Sequence, residues 1–359
     1  MRIGVIGAGY IAEAAIPGLR GATDVSVVAV SARQKPRAEA LAARLGVERA
    51  VDDHHALLAM DDVDLVYVAT PPASHFEFVS DALAAGKHVL CEKQFAMSAA
   101  EAGDLLARAT SAGVVHAITH PSRYLRPYTV ARALVADGFL GRAVLARVDA
   151  FANYALRPTM PPYYATWSSR RAEGGGLRDY LCHHLDHVRF IFGGLDLIAA
   201  RTLIAKPANA VVAPGHDIRQ VWAGALPTAG TEPADAYDTA IVQGILPDGG
   251  LLSLASGWSL NHPGGVDWQI YGQDAMLRLH GMAFSDKLDG AKSGDQALRS
   301  MLDSSAPQTN PYTLLAADLR ESIADRSHAP TYATFQDGFE LQKILDQIVE
   351  PAPRSDDPG

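Results

Sequence analysis

The stretch "GGGLRDYLCHHLDH" (174–187) gathers acids and imidazoles at helical spacing. Asp179 stands four residues before His183, Asp186 three after it, and His187 four after it. On an α-helix, side chains three and four apart are neighbours. A face of this kind could hold a divalent metal, relay a proton, or cap and solvate the helix. Zinc accepts imidazoles and a carboxylate, but no thiolate motif accompanies them, because Cys91 and Cys182 form no CxxC pair. A histidine titrates near physiological pH, which suits acid–base work. His184 and His187 read as packing or surface residues. The three readings are separated by what else the chain carries.

A second constellation lies at the start. In "GVIGAGYIA", Gly7, Gly9 and Ala12 have G-x-G-x-x-A spacing after an apolar run and before a helical pattern. The first glycine permits a tight turn, the second lets the backbone approach a pyrophosphate, and the alanine keeps helix and strand close. The helix N-terminus then receives the anion. A nicotinamide dinucleotide is the cofactor this pattern expects. Dinucleotide sites that prefer NAD place an acid near the end of the second strand, where it bonds the ribose 2′-hydroxyl. Here that position reads Ser31, Ala32, Arg33, with Lys35 and Arg37 behind. No carboxylate stands there to repel a 2′-phosphate and Arg33 can bond one, so NADP is expected in preference to NAD.

The elements that must position these residues follow from periodicity. Through residue 120, short apolar runs (3–7, 25–30, 63–70, 88–92, 114–120) alternate with amphipathic stretches (10–21, 35–46, 75–87, 98–113). This alternation implies an α/β fold with a parallel sheet covered on both faces. Beyond a helix at 129–141 and the helix of the opening stretch, the pattern becomes strand-like with polar alternation: 143–155, 236–246, 251–260 and 266–281. That implies an open-faced, mostly antiparallel sheet. A helical pair closes the chain, and 205–235, rich in Pro, Ala and Gly, reads as a surface excursion. The expected division is a Rossmann dinucleotide-binding domain over 1–120 and an α+β domain over 121–359. Of the 359 residues 48% are hydrophobic, enough for two cores, and the formal net charge of −9 disfavours nucleic acid as a partner. No signal peptide, membrane span or disulfide framework is expected, so the anticipated setting is cytoplasmic.

Taken in order, "GAGYIA", "ATPPASH" (69–75), "AAGKHVLCEKQFAMS" (84–98), "RYLRP" (123–127), "GFLG" (138–141) and the opening stretch resemble the glucose–fructose oxidoreductase / inositol dehydrogenase / rhizopine-catabolism (Gfo/Idh/MocA) family. The resemblance covers almost the whole chain. It implies cofactor contacts from Gly7, Gly9, Tyr10, Ile11, Ser31, Ala32, Arg33, Thr70, Pro71, His75, Glu92 and Lys93. It also implies that 121–359 is a substrate-binding and oligomerisation domain whose sheet carries a dimer or tetramer interface. Where the family has Glu-Lys-Pro, often with a cis bond, this chain has Glu92, Lys93 and Gln94. A cis bond before a non-proline residue costs about 3 kcal/mol, so Gln94 marks a departure. The family's Asp and His, four apart on one helix, match Asp179 and His183, with Leu181 where a glycine is usual.

With a nicotinamide in place, the opening stretch acquires a task. Hydride transfer to or from a secondary alcohol needs a proton carrier and donors on the alcohol oxygen. His183 suits the first role, Lys93 the second, and Asp179 an orienting one. Metal is not expected. Arg123, Tyr124, Tyr154, Trp167 and Arg178 are the expected contacts to a small hydroxylated substrate, through stacking and hydrogen bonds. The expected reaction interconverts a secondary alcohol and a ketone on a sugar, polyol or related ring. Rival readings are a glycoside hydrolase or lyase working by transient oxidation, and a non-catalytic nucleotide sensor.

Overall fold

Continuous apolar runs need cover on both faces, and the N-terminal strands obtain it from helices. A computed structural model describes residues 1–151, 165–214, 226–258, 265–281, 285–303 and 308–349. The first 124 residues supply β1 (Arg2–Ile6), α1 (Tyr10–Leu19), β2 (Ser26–Ser31), α2 (Lys35–Leu45), β3 (Arg49–Val51), α3 (His54–Leu58), β4 (Leu65–Val68), α4 (His75–Ala84), β5 (His88–Cys91), α5 (Ala99–Ala112) and β6 (His116–Ile118). The strands pair in the parallel order β3-β2-β1-β4-β5-β6. The order reverses between β1 and β4, and ligands of such sheets bind outside the carboxyl ends of the strands there. α1 continues through Pro17, and Ala12, Ala15, Ile16 and Leu19 are buried against the sheet.

The following residues supply α6 (Arg126–Ala136), β7 (Ala143–Phe151), α7 (Gly176–Phe192), β8 (Asp196–Leu203), β9 (Ala208–Val212), β10 (Thr228–Pro233), β11 (Thr239–Ile245), β12 (Leu251–Gly257), β13 (Gly265–Gly272), β14 (Ala275–Gly281), β15 (Lys287–Lys292) and β16 (Arg299–Ser300). Eight of these strands form one sheet, β16-β15-β14-β13-β7-β12-β11-β8. Every pair in it is antiparallel except β7 with β12. Alternate residues Ala146, Val148, Leu252, Leu254, Trp268, Ile270, Leu277 and Leu279 are buried. The opposite face carries Leu203, Ile241, Ile245 and Leu251, which are exposed, and then a polar belt. In that belt Arg147 pairs with Asp149 (3.0 Å), Arg278 with Asp267 (2.8 Å) and His280 with Asp289 (2.8 Å).

Two last helices are α8 (Pro311–Ala324) and α9 (Phe335–Val349). The chain divides into Met1–Tyr124 with Gln308–Gln342, and Leu125–Pro307 with Lys343–Gly359. The first unit therefore takes in, beside the residues up to the expected boundary, the later segment Gln308–Gln342. The reason is packing: Leu315, Ala316 and Leu319 of α8 enter the same apolar cluster as Ile3, Ile16 and Leu19. Three local expectations also change. The run 266–281 is a hairpin, β13 and β14, not one strand. Residues 205–235 contain the antiparallel pair β9–β10. The short β3 and α3 lie where no long periodic pattern marks them.

Candidate functional site

Gly7 follows β1 with φ +117°, a region that favours glycine. A Cβ there would lie 2.3 Å from the Ala69 carbonyl oxygen. Its N–H donates to the Ser31 carbonyl (2.8 Å), while Ala69 N–H donates to the Ile6 carbonyl (2.8 Å). The turn is thus tied to the ends of both flanking strands. Gly9 is the N-cap of α1 and provides no side-chain cap. A Cβ on Gly9 would meet nothing within 4 Å. There is thus open space beside Gly9 at the start of α1, where the first helical N–H groups lack intrahelical partners, as a phosphate site requires. Tyr10 is half exposed and Ile11 half-buried beside it. At the end of β2, Ser31 is buried and Ala32 half-buried, and Arg33, Lys35 and Arg37 are exposed. Among the described residues the Arg33 guanidinium has no hydrogen bond or ion pair, and no carboxylate sits on the Ser31–Arg33 strand end.

The ends of β4 and β5 form the next part. Thr70 Oγ1 accepts from Ser74 Oγ (2.9 Å), and the Pro71 carbonyl accepts from the same hydroxyl (2.8 Å). His75 is fully buried at the start of α4. Its Nε2 lies 2.9 Å from the Thr70 carbonyl oxygen, and its Nδ1 lies 2.9 Å from that of Gln94 and 3.3 Å from that of Phe95. Burial holds its pKa below the ordinary histidine value, against the pull of these carbonyls. His75 was expected to touch the cofactor directly. In the fold both ring nitrogens face backbone carbonyls, and the neutral ring, with one N–H, donates to one of the two loops and packs against the other. Glu92 is buried and accepts from the Tyr67 hydroxyl at 2.6 Å. Burial, with Glu92 beside it, pushes the Tyr67 phenol well above its usual range, so it stays a donor. Lys93 follows, half-buried, and the Lys93–Gln94 peptide bond is cis without a proline.

In the second unit, α7 is entered through Gly174 (φ +123°) and Gly175 (φ +78°). A Cβ on Gly176 would come within 3.1 Å of the Trp258 ring. Asp179 occupies the first turn, where the helix dipole favours a carboxylate. Asp179 is buried and His183 half-buried. Asp186 and His187 are buried, and His187 stacks on Tyr128 with ring centroids 3.7 Å apart. His184 is fully buried beside Tyr180, and burial drives its pKa down to about 3. Both are packing residues. Among the described residues, the groups of three metal-capable side chains are Asp53, His54 and His55, and His54, Glu77 and Asp81. Residues 179–187 form no such group of three.

The expected substrate contacts meet mixed fates. Tyr124 donates to Asp318 (2.5 Å), which with burial raises the phenol's pKa, and Arg123 faces Asp337 (3.7 Å) and the Thr331 carbonyl (3.4 Å). Both fasten the returning segment 308–342 within the first unit, a role hidden in sequence because the partners lie about two hundred residues away. Arg178 is buried and faces Asp346 at 3.6 Å, an ion pair within the second unit. Trp167 is half-buried in a 3-10 turn (Trp167–Ser169) that leads toward α7. Tyr154 lies outside the described residues. Tyr67, the buried partner of Glu92, had no signal in sequence, since "VYVAT" reads as plain core strand.

The sheet order, the open glycine turn and a separate sheet-based second unit define a two-domain protein with an NAD(P)-binding Rossmann fold. The chain belongs to the Gfo/Idh/MocA oxidoreductase family. The oxidoreductase family with an NAD-binding Rossmann fold matches residues 1–120, and the GFO/IDH/MocA C-terminal domain matches residues 128–278. The 1,5-anhydro-D-fructose reductase of Ensifer adhaerens is 36% identical over 192 residues, 53% of this chain and 56% of that protein. The chain thus aligns with about half the length of that relative. The levoglucosan dehydrogenase of Pseudarthrobacter phenanthrenivorans is 24% identical, covering 98% of this chain and 96% of that one. A solved structure of levoglucosan dehydrogenase in complex with NADH superposes with a TM-score of 0.81 at 20% identity, over 98% of this chain and 96% of that one. At that identity the likeness is one of fold. Among the described residues, no helix is long and apolar enough to cross a membrane.

Proposed function

We propose that the protein is an NAD(P)-dependent oxidoreductase that interconverts a secondary alcohol and a ketone on a sugar, polyol or related hydroxylated ring. The observation that carries this reading is the pairing of an open, uncapped α1 N-terminus at the switch point with Lys93 half-buried at the end of β5. A nicotinamide, when bound, supplies or accepts the hydride. Lys93 then donates to the substrate oxygen and stabilises its developing charge. His183, among the few side chains of α7 left partly open, takes the proton or returns it. Asp179, one turn away, orients substrate and imidazole. Trp167 is the aromatic side chain offered to the ring. The relatives named above are by name a 1,5-anhydro-D-fructose reductase and a levoglucosan dehydrogenase, which supports the same substrate class here.

NADP is the proposed preference, supported by exposed Arg33 and the missing acid at Ala32. The assembly proposed is a homodimer or homotetramer that covers Leu203, Ile241, Ile245 and Leu251, since exposed apolar patches of this kind mark interaction surfaces. Light scattering should give a multiple of 38.1 kDa, and a monomer at micromolar concentration would refute that assembly. The function is tested by a dehydrogenase screen with NADP and NAD against levoglucosan, myo-inositol, methyl glucosides, uronates and 1,5-anhydro-D-fructose. Turnover of at least one is expected. No nicotinamide oxidation or reduction across the panel would count against the reading. Cofactor retained through purification without net turnover would favour transient oxidation instead.

A further inference from the structure

Lys93 is the residue on which the proposed chemistry turns, yet its side chain is long and flexible. Something has to hold the backbone that carries it. Before it, the Glu92 carboxylate is buried and receives the hydroxyl of fully buried Tyr67 from β4 at 2.6 Å. The Glu92 N–H also donates to the Val68 carbonyl (2.9 Å), continuing the β4–β5 ladder by one rung. After it, the carbonyls of Gln94 and Phe95 both face the His75 Nδ1, while the His75 Nε2 faces the Thr70 carbonyl. Gln94 and Phe95 are themselves buried. Lys93 is therefore a half-buried residue between two buried anchors, one on each side in the chain.

We infer that Tyr67 and His75 are positioning residues for Lys93: Tyr67 fixes the strand end through Glu92, and His75 fixes the following loop through the Gln94 and Phe95 carbonyls. This rests on the reading of Lys93 as the group at the substrate oxygen. Neither residue reaches the reacting atoms. A lysine on an anchored backbone loses less freedom when it meets the oxygen, and misplacement by an ångström is costly in catalysis. The same buried ring stands between the Thr70 carbonyl and the Lys93 loop, so it fills the space between two loops at the carboxyl ends of adjacent strands.

The test is a set of cycles on the best substrate from the panel above. Tyr67→Phe removes only a hydroxyl, and His75→Gln keeps an N–H donor and loses the ring. Each should lower kcat about tenfold, with NADP(H) affinity changed less than about threefold. In a Lys93→Met background neither should lower kcat further, because the residue they position is gone. Equal losses in both backgrounds would mean that they act on the fold alone and would overturn the inference, as would unchanged turnover in the wild-type background. Near-normal turnover of Lys93→Met alone is a separate result: it would remove the catalytic reading, and the inference with it. A measurement free of substrate runs in parallel. Labelling by trinitrobenzenesulfonate, read by peptide mass spectrometry, should be several-fold faster at Lys93 in both variants, with other lysines and the melting temperature little changed. An unchanged Lys93 rate would overturn the inference.

Discussion

The two units hold their functional side chains in opposite ways. In the first, the candidate residues sit on turns and strand ends, and backbone atoms hold them. Gly7 bonds to Ser31, Ala69 bonds to Ile6, and the His75 ring faces three carbonyls. In the second, Asp179 and His183 ride on a helix of 17 residues buried on nearly every face, and packing holds them. His183 and Arg189 are its only half-open positions from Leu177 to Ile191. A site fastened by backbone is local and leaves a signature at short spacing. A site fastened by packing depends on which position of a buried helix is left uncovered.

Substitutions can break this contrast. The largest effect is expected where chemistry is removed: His183→Asn or Lys93→Met should lower turnover by roughly 10²–10⁴, the range for lost acid–base catalysis. Chelator should leave wild-type turnover intact, and chelator sensitivity restored by zinc would revive a metal reading of α7. Gly7→Ala tests the backbone-held half. Its Cβ meets the Ala69 carbonyl at a positive φ, so unfolding should be easier by roughly 2–4 kcal/mol. A denaturant midpoint equal to wild type would show that the turn yields.

His184 tests the packing-held half. Its folded pKa of about 3 lies below the ordinary value of 6.5, so the neutral ring is the folded form. Its contribution is fully present above pH 6.5 and is lost as pH falls toward 3, at up to roughly 1.4 kcal/mol per pH unit. His184→Leu should therefore flatten the acid limb of a stability-versus-pH curve, and an identical limb in both proteins would contradict the burial argument. The smallest effect concerns the cofactor. Arg33→Ala should weaken NADP(H) binding about tenfold and leave NAD(H) nearly unchanged, since an exposed charge-assisted bond contributes roughly 1.5 kcal/mol. Ala32→Asp should move preference toward NAD. Equal wild-type affinities for the two cofactors would remove the basis for both.

Sequence by itself determined the parallel first sheet, the glycine turn, the mostly antiparallel second sheet and the helix that carries Asp179 and His183. These follow from periods of two and 3.6 residues and from glycine spacing, all of which are short-range. It also read His184 and His187 as packing or surface residues, and both are buried. What only the tertiary structure decided is which polar groups are already spent. Arg123 and Tyr124 looked like ligand contacts, yet Asp337 and Asp318 take them, because α8 and the start of α9 return to the first unit. His75 looked like a cofactor contact, and three carbonyls claim it. Arg178 faces Asp346. Glu92 finds its donor in Tyr67, a residue that reads as core. A hydrogen bond or ion pair depends on distances between residues far apart in the chain, and no local pattern encodes those; a turn or a helix depends on neighbours, which the sequence places side by side.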